Sequence, residues 1–460
     1  MAIQAKLTQG SVLRTLTGLS APLMLGIFSV FAFNLADTYF VSQLGTKELA
    51  AMSFTFPVIM VMFGVAMGLS TGTTSVVSRA IGHGNENLIR RYASDSIMLS
   101  FLTVLLFAVA GMLTIDPLFT LLGATPDILP LIRDYMMIWY FGILFLVIPM
   151  VANSVIRSTG DTKFPALLMM ISTSINLILD PLLIFGLWGF PRLELQGAAI
   201  ATVISRGLTL IASLLILYFR ERLLDFSIPK MSDVWQSWKA IGTIAIPATI
   251  TNLLEPLGLG IVTRLIATYG ASSVAAWGAG SRVTAFVLIP AFAVCSALVP
   301  FVGQNWGAGE YGRVRTGRNY GYIFAVLWGV SMVGVLQIFA EPVAKVFSQD
   351  SDVLVEMVRY LWILPFGYFG VGLIRVTEET LNAIGRPILA SVQTLIHMFG
   401  FYIPLAFIGA NIMAMDGLLG GLAIADAIGG GIGLSMAWWM CRRGRAETES
   451  EEEVAVQASS

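Results

Sequence analysis

Twelve runs of apolar residues, each about 20 residues or longer, cover nearly the whole of this chain. They fall at about 16–41, 49–78, 92–115, 132–157, 164–187, 196–219, 240–268, 274–303, 319–340, 354–383, 389–410 and 417–441. Each is long enough to cross a hydrocarbon core of about 30 Å. Lipid offers no partner to backbone N–H and C=O groups, so the runs must be helices; a barrel would show short alternating strands instead. The composition agrees: of 460 residues, 56% are hydrophobic and only 12% charged, against about a quarter charged in soluble domains. The expected fold class is therefore an all-α polytopic membrane protein with twelve transmembrane helices. The first run is too long for a cleavable signal peptide, lacks a small-residue cleavage site and carries an acid.

Basic residues set the orientation. Alternate connecting segments hold 18 Lys and Arg, among them Arg79, Arg90, Arg91, Arg157, Arg220, Arg313 and Arg315, while the others hold 5. The rich side is cytoplasmic, which places both termini in the cytoplasm and the chain in the inner membrane. The acids Asp116, Asp127, Asp350, Asp352 and Asp416 fall on the opposite side.

The chain also resembles itself at a spacing of 225 residues. Pro22 answers to Pro247, Gly45 to Gly270, Gly82 to Gly307, Gly84 to Gly309, Arg90 to Arg315, Gly142 to Gly367 and Gly160 to Gly385. Repeats of this kind in a membrane chain mean matched bundles with a binding site between or within them. Residues 1–219 and 240–445 form two pseudo-symmetric six-helix bundles, joined by the amphipathic linker 220–239, whose Trp235 and Trp238 suit the membrane interface. An even number of spans per half inserts both halves the same way up. The acidic tail 446–460 has few large apolar residues and is expected to be disordered. Neither Cys295 nor Cys441 suggests a disulfide or a metal cluster. His83 lies in a basic loop and His397 in a span, where a packed, hydrogen-bonded role is expected.

Ionisable groups inside spans are costly and mark function. Asp37 in the first run and Asp180 in the fifth fall at one depth, in the outer half. Asn176 lies one turn before Asp180 on the same face, Thr202 enters from the sixth run, and Tyr135 and, deeper, Asn153 come from the fourth. Two carboxyls with amide and hydroxyl neighbours can hold a proton, because burial and a like charge favour the neutral form. The same oxygens suit Na⁺ when both acids are ionised. The competing reading has both acids bonding helix ends broken at Pro181. In the second half, Glu255 precedes Pro256 and serves either as a cation site facing a cavity or as a cap for freed backbone. Glu378 and Glu379 lie a turn from Arg375, which favours an internal ion pair. Arg206 and Arg282 are both candidate partners for Asp426, and Arg264 either snorkels or meets an outer acid. Pro22, four turns below Asp37, is a candidate hinge, so occupancy of Asp37 can select between a straight and a bent first helix. Met-rich stretches such as 58–68 suit a permissive binding wall or lipid packing equally.

Particular motifs carry a resemblance to the multidrug and toxic compound extrusion (MATE) family over about 11–440. They are NLADTYFVSQLGTKELAA (34–51), RSTGDTKFP (157–165), NLILDPLLIFG (176–186), GAAIATVIS (197–205) and two Gly-x-Gly loops followed by Arg. The first-run Asp with Asn-x3-Asp-Pro is similar to the branch holding DinF-like and archaeal members. The resemblance implies two six-helix lobes in a V shape. It also implies export of amphipathic, cationic or aromatic compounds in exchange for H⁺ or Na⁺. In that branch Asp37, Asn176, Asp180 and Thr202 would form the coupling site, Tyr135 and Asn153 would lie nearby, and the first helix would bend at Pro22. Glu255 matches a carboxylate that other branches use in the second lobe.

Rival readings are weaker. A major facilitator would carry Gly-x3-Asp-Arg-x-Gly-Arg after its second span, where this chain has SRAIGHGNENLIRRY. A flippase of lipid-linked precursors would have more spans and a basic central cavity. A channel would show a repeated selectivity filter. No nucleophile–base arrangement or metal-ligand spacing suggests an enzyme, so none is expected, nor any cofactor beyond the transported ion. The expected partners are small toxic compounds and membrane lipid, with no nucleic acid and a monomeric state.

Overall fold

A computed structural model of the chain describes the backbone of residues 4–44, 46–225 and 230–459, with side chains described except at 46–50 and 439–459. Gly45 of the repeat lies outside the described residues. Among the described residues every regular element is a helix. The spans are α1 (Val12–Ser42), α2 (Ala51–His83), α3 (Glu86–Leu121), α4 (Leu129–Ser158), α5 (Lys163–Phe185), α6 (Glu194–Arg220) and α7 (Met231–Tyr269). The eighth, α8, comes in two pieces, Ala271–Val287 and Ile289–Gly307. It is followed by α9 (Tyr311–Phe347) and α10 (Ser351–Ala383).

The stretch Pro387–Trp438 holds 52 residues. As one straight helix it would run roughly 78 Å, more than twice the bilayer core. It is not straight. Met413 (φ −134°, ψ 28°) and Ala414 (φ 50°, ψ −130°) leave helical geometry. A Cβ on Gly409 would sit 1.9 Å from the Gly417 carbonyl oxygen, and one on Gly421 would sit 2.2 Å from that of Leu405. Pairs 409/417 and 405/421 share one centre at Met413, which is the register of two antiparallel helices folded back there. They are α11 (387–412) and α12 (415–438), and they bring the spans to the expected twelve. Only glycine lets the two backbones come this close.

The backbone of the final helix continues to Ser459, where the sequence leads one to expect an unstructured tail from 446. Glu, Ala and Gln in that segment are good helix formers, so the polar composition that prevents a packed core does not prevent helix.

The chain forms two compact units. One comprises Met1–Leu253, Val299–Glu310 and Asn382–Pro387; the other comprises Leu254–Leu298, Tyr311–Leu381 and Ile388–Ser460. Within the first unit α5 packs against both α1 and α6, and α2 against α4. The start of α1 is fixed by its approach segment: the Leu7 amide donates to Gln304 Oε1 at 3.0 Å. Asn305 Nδ2 donates to the Leu7 carbonyl at 3.1 Å, and Gln304 Nε2 donates to the Ser158 carbonyl at 2.6 Å.

The 225-residue spacing has a spatial counterpart in this unit. Ser78 and Gly303 are equivalent in the repeat, as are Gly82 and Gly307, and each residue touches its own equivalent. A Cβ on Gly303 would lie 1.9 Å from Ser78 Oγ, and one on Gly82 would lie 2.9 Å from Gly307 Cα and 2.2 Å from the Gln304 carbonyl oxygen. The two helices meet backbone to backbone at positions that the repeat keeps small. Gly82→Val is therefore expected to force α2 and α8 apart and cost about 1–3 kcal/mol, read as a lowered thermal midpoint of the purified protein. An unchanged midpoint would contradict the close approach.

Candidate functional site

The packing of α5 between α1 and α6 brings the first-half polar residues together. Asp180 is fully buried and Asn176, one turn before it, is 1% exposed. Asn176 Nδ2 donates to Thr202 Oγ1 at 3.4 Å. Asp180 interacts electrostatically with Asp37, and buried Tyr135 feels both charges. Asn176 is close enough to act on the Asp180 charge, yet no hydrogen bond of ordinary geometry reaches either carboxylate oxygen. Asp37 Oδ1, Asn176 Oδ1 and both oxygens of Asp180 are buried with no hydrogen-bond partner among the described residues. The competing expectation, that Asp180 merely satisfies backbone freed by Pro181, is not met, since α5 runs on through Pro181 to Phe185 and both carboxylate oxygens stay unbonded.

Such a cluster of oxygen acceptors inside membrane helices lacks positive charge. Leaving a carboxylate dry and unpaired costs several kcal/mol. The oxygens fit a proton or a hard cation such as Na⁺, both of which bind carboxylate, amide and hydroxyl oxygen. Asn153 stands apart. From 135 to 153 the helix path is roughly 27 Å at about 1.5 Å per residue. Asn153 is buried, and its amide oxygen has no partner among the described residues. Pro22 lies inside a continuous α1.

In the second unit the intramembrane acids have basic partners. Arg375 bonds to Glu255 and, at 3.1 Å, to Glu378, with Glu379 within electrostatic reach and the Phe292 ring centre 5.8 Å away. Glu255, expected as a cation site or a cap, thus has its charge met by an arginine on α10. The ion pair expected around Arg375 is present and recruits Glu255 as well. Asp426 pairs with neither Arg206 nor Arg282 but with His397, whose Nε2 lies 3.0 Å from Oδ1. His397 has the hydrogen-bonded role its sequence setting suggests, and it sits at the start of a π-helical segment, Ile396–Tyr402. Beside them, Tyr360 and Tyr368 share Thr284 Oγ1 at 2.8 and 2.6 Å. The Glu255–Arg375 and His397–Asp426 pairs join residues 120 and 29 apart, so no helical periodicity announces them. Arg264 and Arg282 are exposed.

Twelve spans, with two carboxylates that lack a partner among the described residues in one unit and acids paired with Arg375 and His397 in the other, define a polytopic membrane transporter. A family model, MatE, matches the chain twice, at residues 22–182 and 247–408. The two matches begin at Pro22 and Pro247, members of one pair in the 225-residue repeat. The chain belongs to this family, the MATE efflux transporters, whose members act on small molecules. It is 39% identical to the FAD transporter of Shewanella oneidensis over 95% of this chain and 96% of that one. It is 26% identical to the probable multidrug resistance protein NorM of Thermotoga maritima over 86% of this chain and 85% of that one. Among solved structures, the Vibrio cholerae MATE transporter VcmN in its bent form superposes with a TM-score of 0.89 at 30% identity, covering 94% of this chain and 97% of that chain.

Proposed function

We propose that the chain is a secondary antiporter of the inner membrane, working as a monomer with both termini in the cytoplasm. It exports amphipathic aromatic compounds in exchange for H⁺ or Na⁺ held by Asp37, Asp180, Asn176 and Thr202. The observation that carries this reading is the group of buried oxygens on Asp37, Asp180 and Asn176 that no donor among the described residues satisfies. An exchangeable cation is the simplest partner for them, and a site that must alternate between filled and empty is what ion coupling requires. Filling it removes the repulsion between two acids on different helices. That favours a different packing of α1, and Pro22 is where α1 can bend, because proline removes a helix hydrogen bond. Among aromatic cargoes, the FAD transporter relative makes flavin adenine dinucleotide the first to examine.

The test is efflux from proteoliposomes of purified protein, with FAD and separately ethidium inside, under an imposed pH gradient and then under an imposed Na⁺ gradient. One gradient, directed inward, is expected to accelerate release of either cargo, and that gradient names the ion. Release indifferent to both would overturn antiport and favour a flippase or uniporter.

A further inference from the structure

The first unit holds a half-buried arginine inside a span that coupling to a cation does not use. Arg206 lies near the middle of α6, roughly 18 and 21 Å from its two ends at about 1.5 Å per residue. It is thus too deep for its side chain to snorkel to either interface. Among the described residues no carboxylate pairs with it; its guanidinium lies 5.6 Å from the centre of the Phe33 ring. Thr202 is one turn away on the same helix face, and Phe33 is one turn before Asp37 on α1. The polar strip between α1 and α6 therefore has two tiers: carboxylates, amide and hydroxyl at one level, and a planar cation against an aromatic ring at the next.

An unpaired arginine inside a membrane span asks for an anion. Guanidinium presents five donors and no acceptor, in a plane that meets phosphate oxygens two at a time, and it stacks on flat rings. A purely cationic cargo gains nothing from such a group. We infer that Arg206, held against the Phe33 ring, recognises the pyrophosphate of a flavin dinucleotide. This rests on the substrate reading above and specifies which side chains carry it. Phe33 lies between Pro22 and Asp37, so a bend of α1 would draw the ring away from Arg206 and dismantle the anion tier as the ion tier fills.

The experiment measures FAD and riboflavin binding by flavin fluorescence, using purified lipid-free protein in detergent, for the wild type, Arg206→Lys and Arg206→Gln. Arg206→Gln is expected to weaken FAD binding at least tenfold while leaving riboflavin, which has no phosphate, unchanged; Arg206→Lys should fall between. Inorganic pyrophosphate should displace FAD from the wild type. Equal FAD affinity in Arg206→Gln overturns the inference, as does an equal loss for riboflavin, which would make Arg206 a packing residue. Displacement of FAD by phosphatidylglycerol but not by pyrophosphate assigns the site to a lipid headgroup and also overturns it. A wild type that extrudes ethidium but never binds FAD defeats the substrate reading itself, whereas FAD binding indifferent to Arg206 defeats only this assignment.

Discussion

Asp180→Asn is expected to reduce ion-driven efflux to that of protein-free vesicles while leaving the protein as stable as the wild type, or more so. The substitution keeps the shape of a fully buried side chain and removes a charge that no described group compensates. An unpaired buried carboxylate opposes folding by several kcal/mol unless an ion sits on it, so the amide relieves that cost. It also removes the attraction for a cation on which exchange depends. Asp37→Asn should behave alike, because the two carboxylates interact. Paired measurements of thermal midpoint and gradient-driven efflux decide the matter. Full efflux by Asp180→Asn would refute the coupling role, and a sharp loss of stability would mean that the carboxylate has a structural partner.

The opposite pattern is expected for Arg375→Met. Arg375 holds Glu255 on α7 and Glu378 on its own helix α10, and Glu378 is 6% exposed. Removing it leaves two acids facing each other with no counter-charge, a one-sided break of a buried pair that costs about 3–5 kcal/mol. Because the Glu255 side chain is 44% exposed, the lower end, about 3 kcal/mol, is expected. It should appear as a lower thermal midpoint and a smaller yield of folded protein. Efflux per folded molecule should stay near the wild-type value. Adding Glu255→Gln and Glu378→Gln to Arg375→Met should recover most of the lost stability, since the penalty lies in the unpaired charges. Normal stability with abolished transport in Arg375→Met would instead place this cluster in the transport pathway.

The twelve spans were legible because lipid leaves a chain so few choices: each run of about 20 apolar residues must close its own hydrogen bonds. The fold-back between α11 and α12 is the instructive case. The helical pattern runs almost unbroken through Pro387–Trp438, and the bilayer thickness alone demands a reversal, which the structure places at Met413–Ala414. The first-half site was legible for a related reason. Asn176 and Asp180 share a helix face by their spacing, and Asp37 falls at the same depth. Asn153 reads as lying deeper than Tyr135 on the same run, and the 18 residues between them, several helical turns, keep it apart from the carboxylates.

By itself, then, the sequence determined which segments cross the membrane, that the chain is built twice over, and that Asp37 and Asp180 share one depth in its first half. Those properties follow from local composition and periodicity acting against a solvent that cannot bond to backbone. Only the tertiary structure decided which charges neutralise one another. Glu255 with Arg375, Asp426 with His397, and Arg206 with no acid among the described residues are outcomes of helix faces meeting across 120 residues, across 29, or not at all. Charge pairing depends on distances of a few ångströms between side chains. Which helix faces which neighbour is fixed by packing that no single segment encodes.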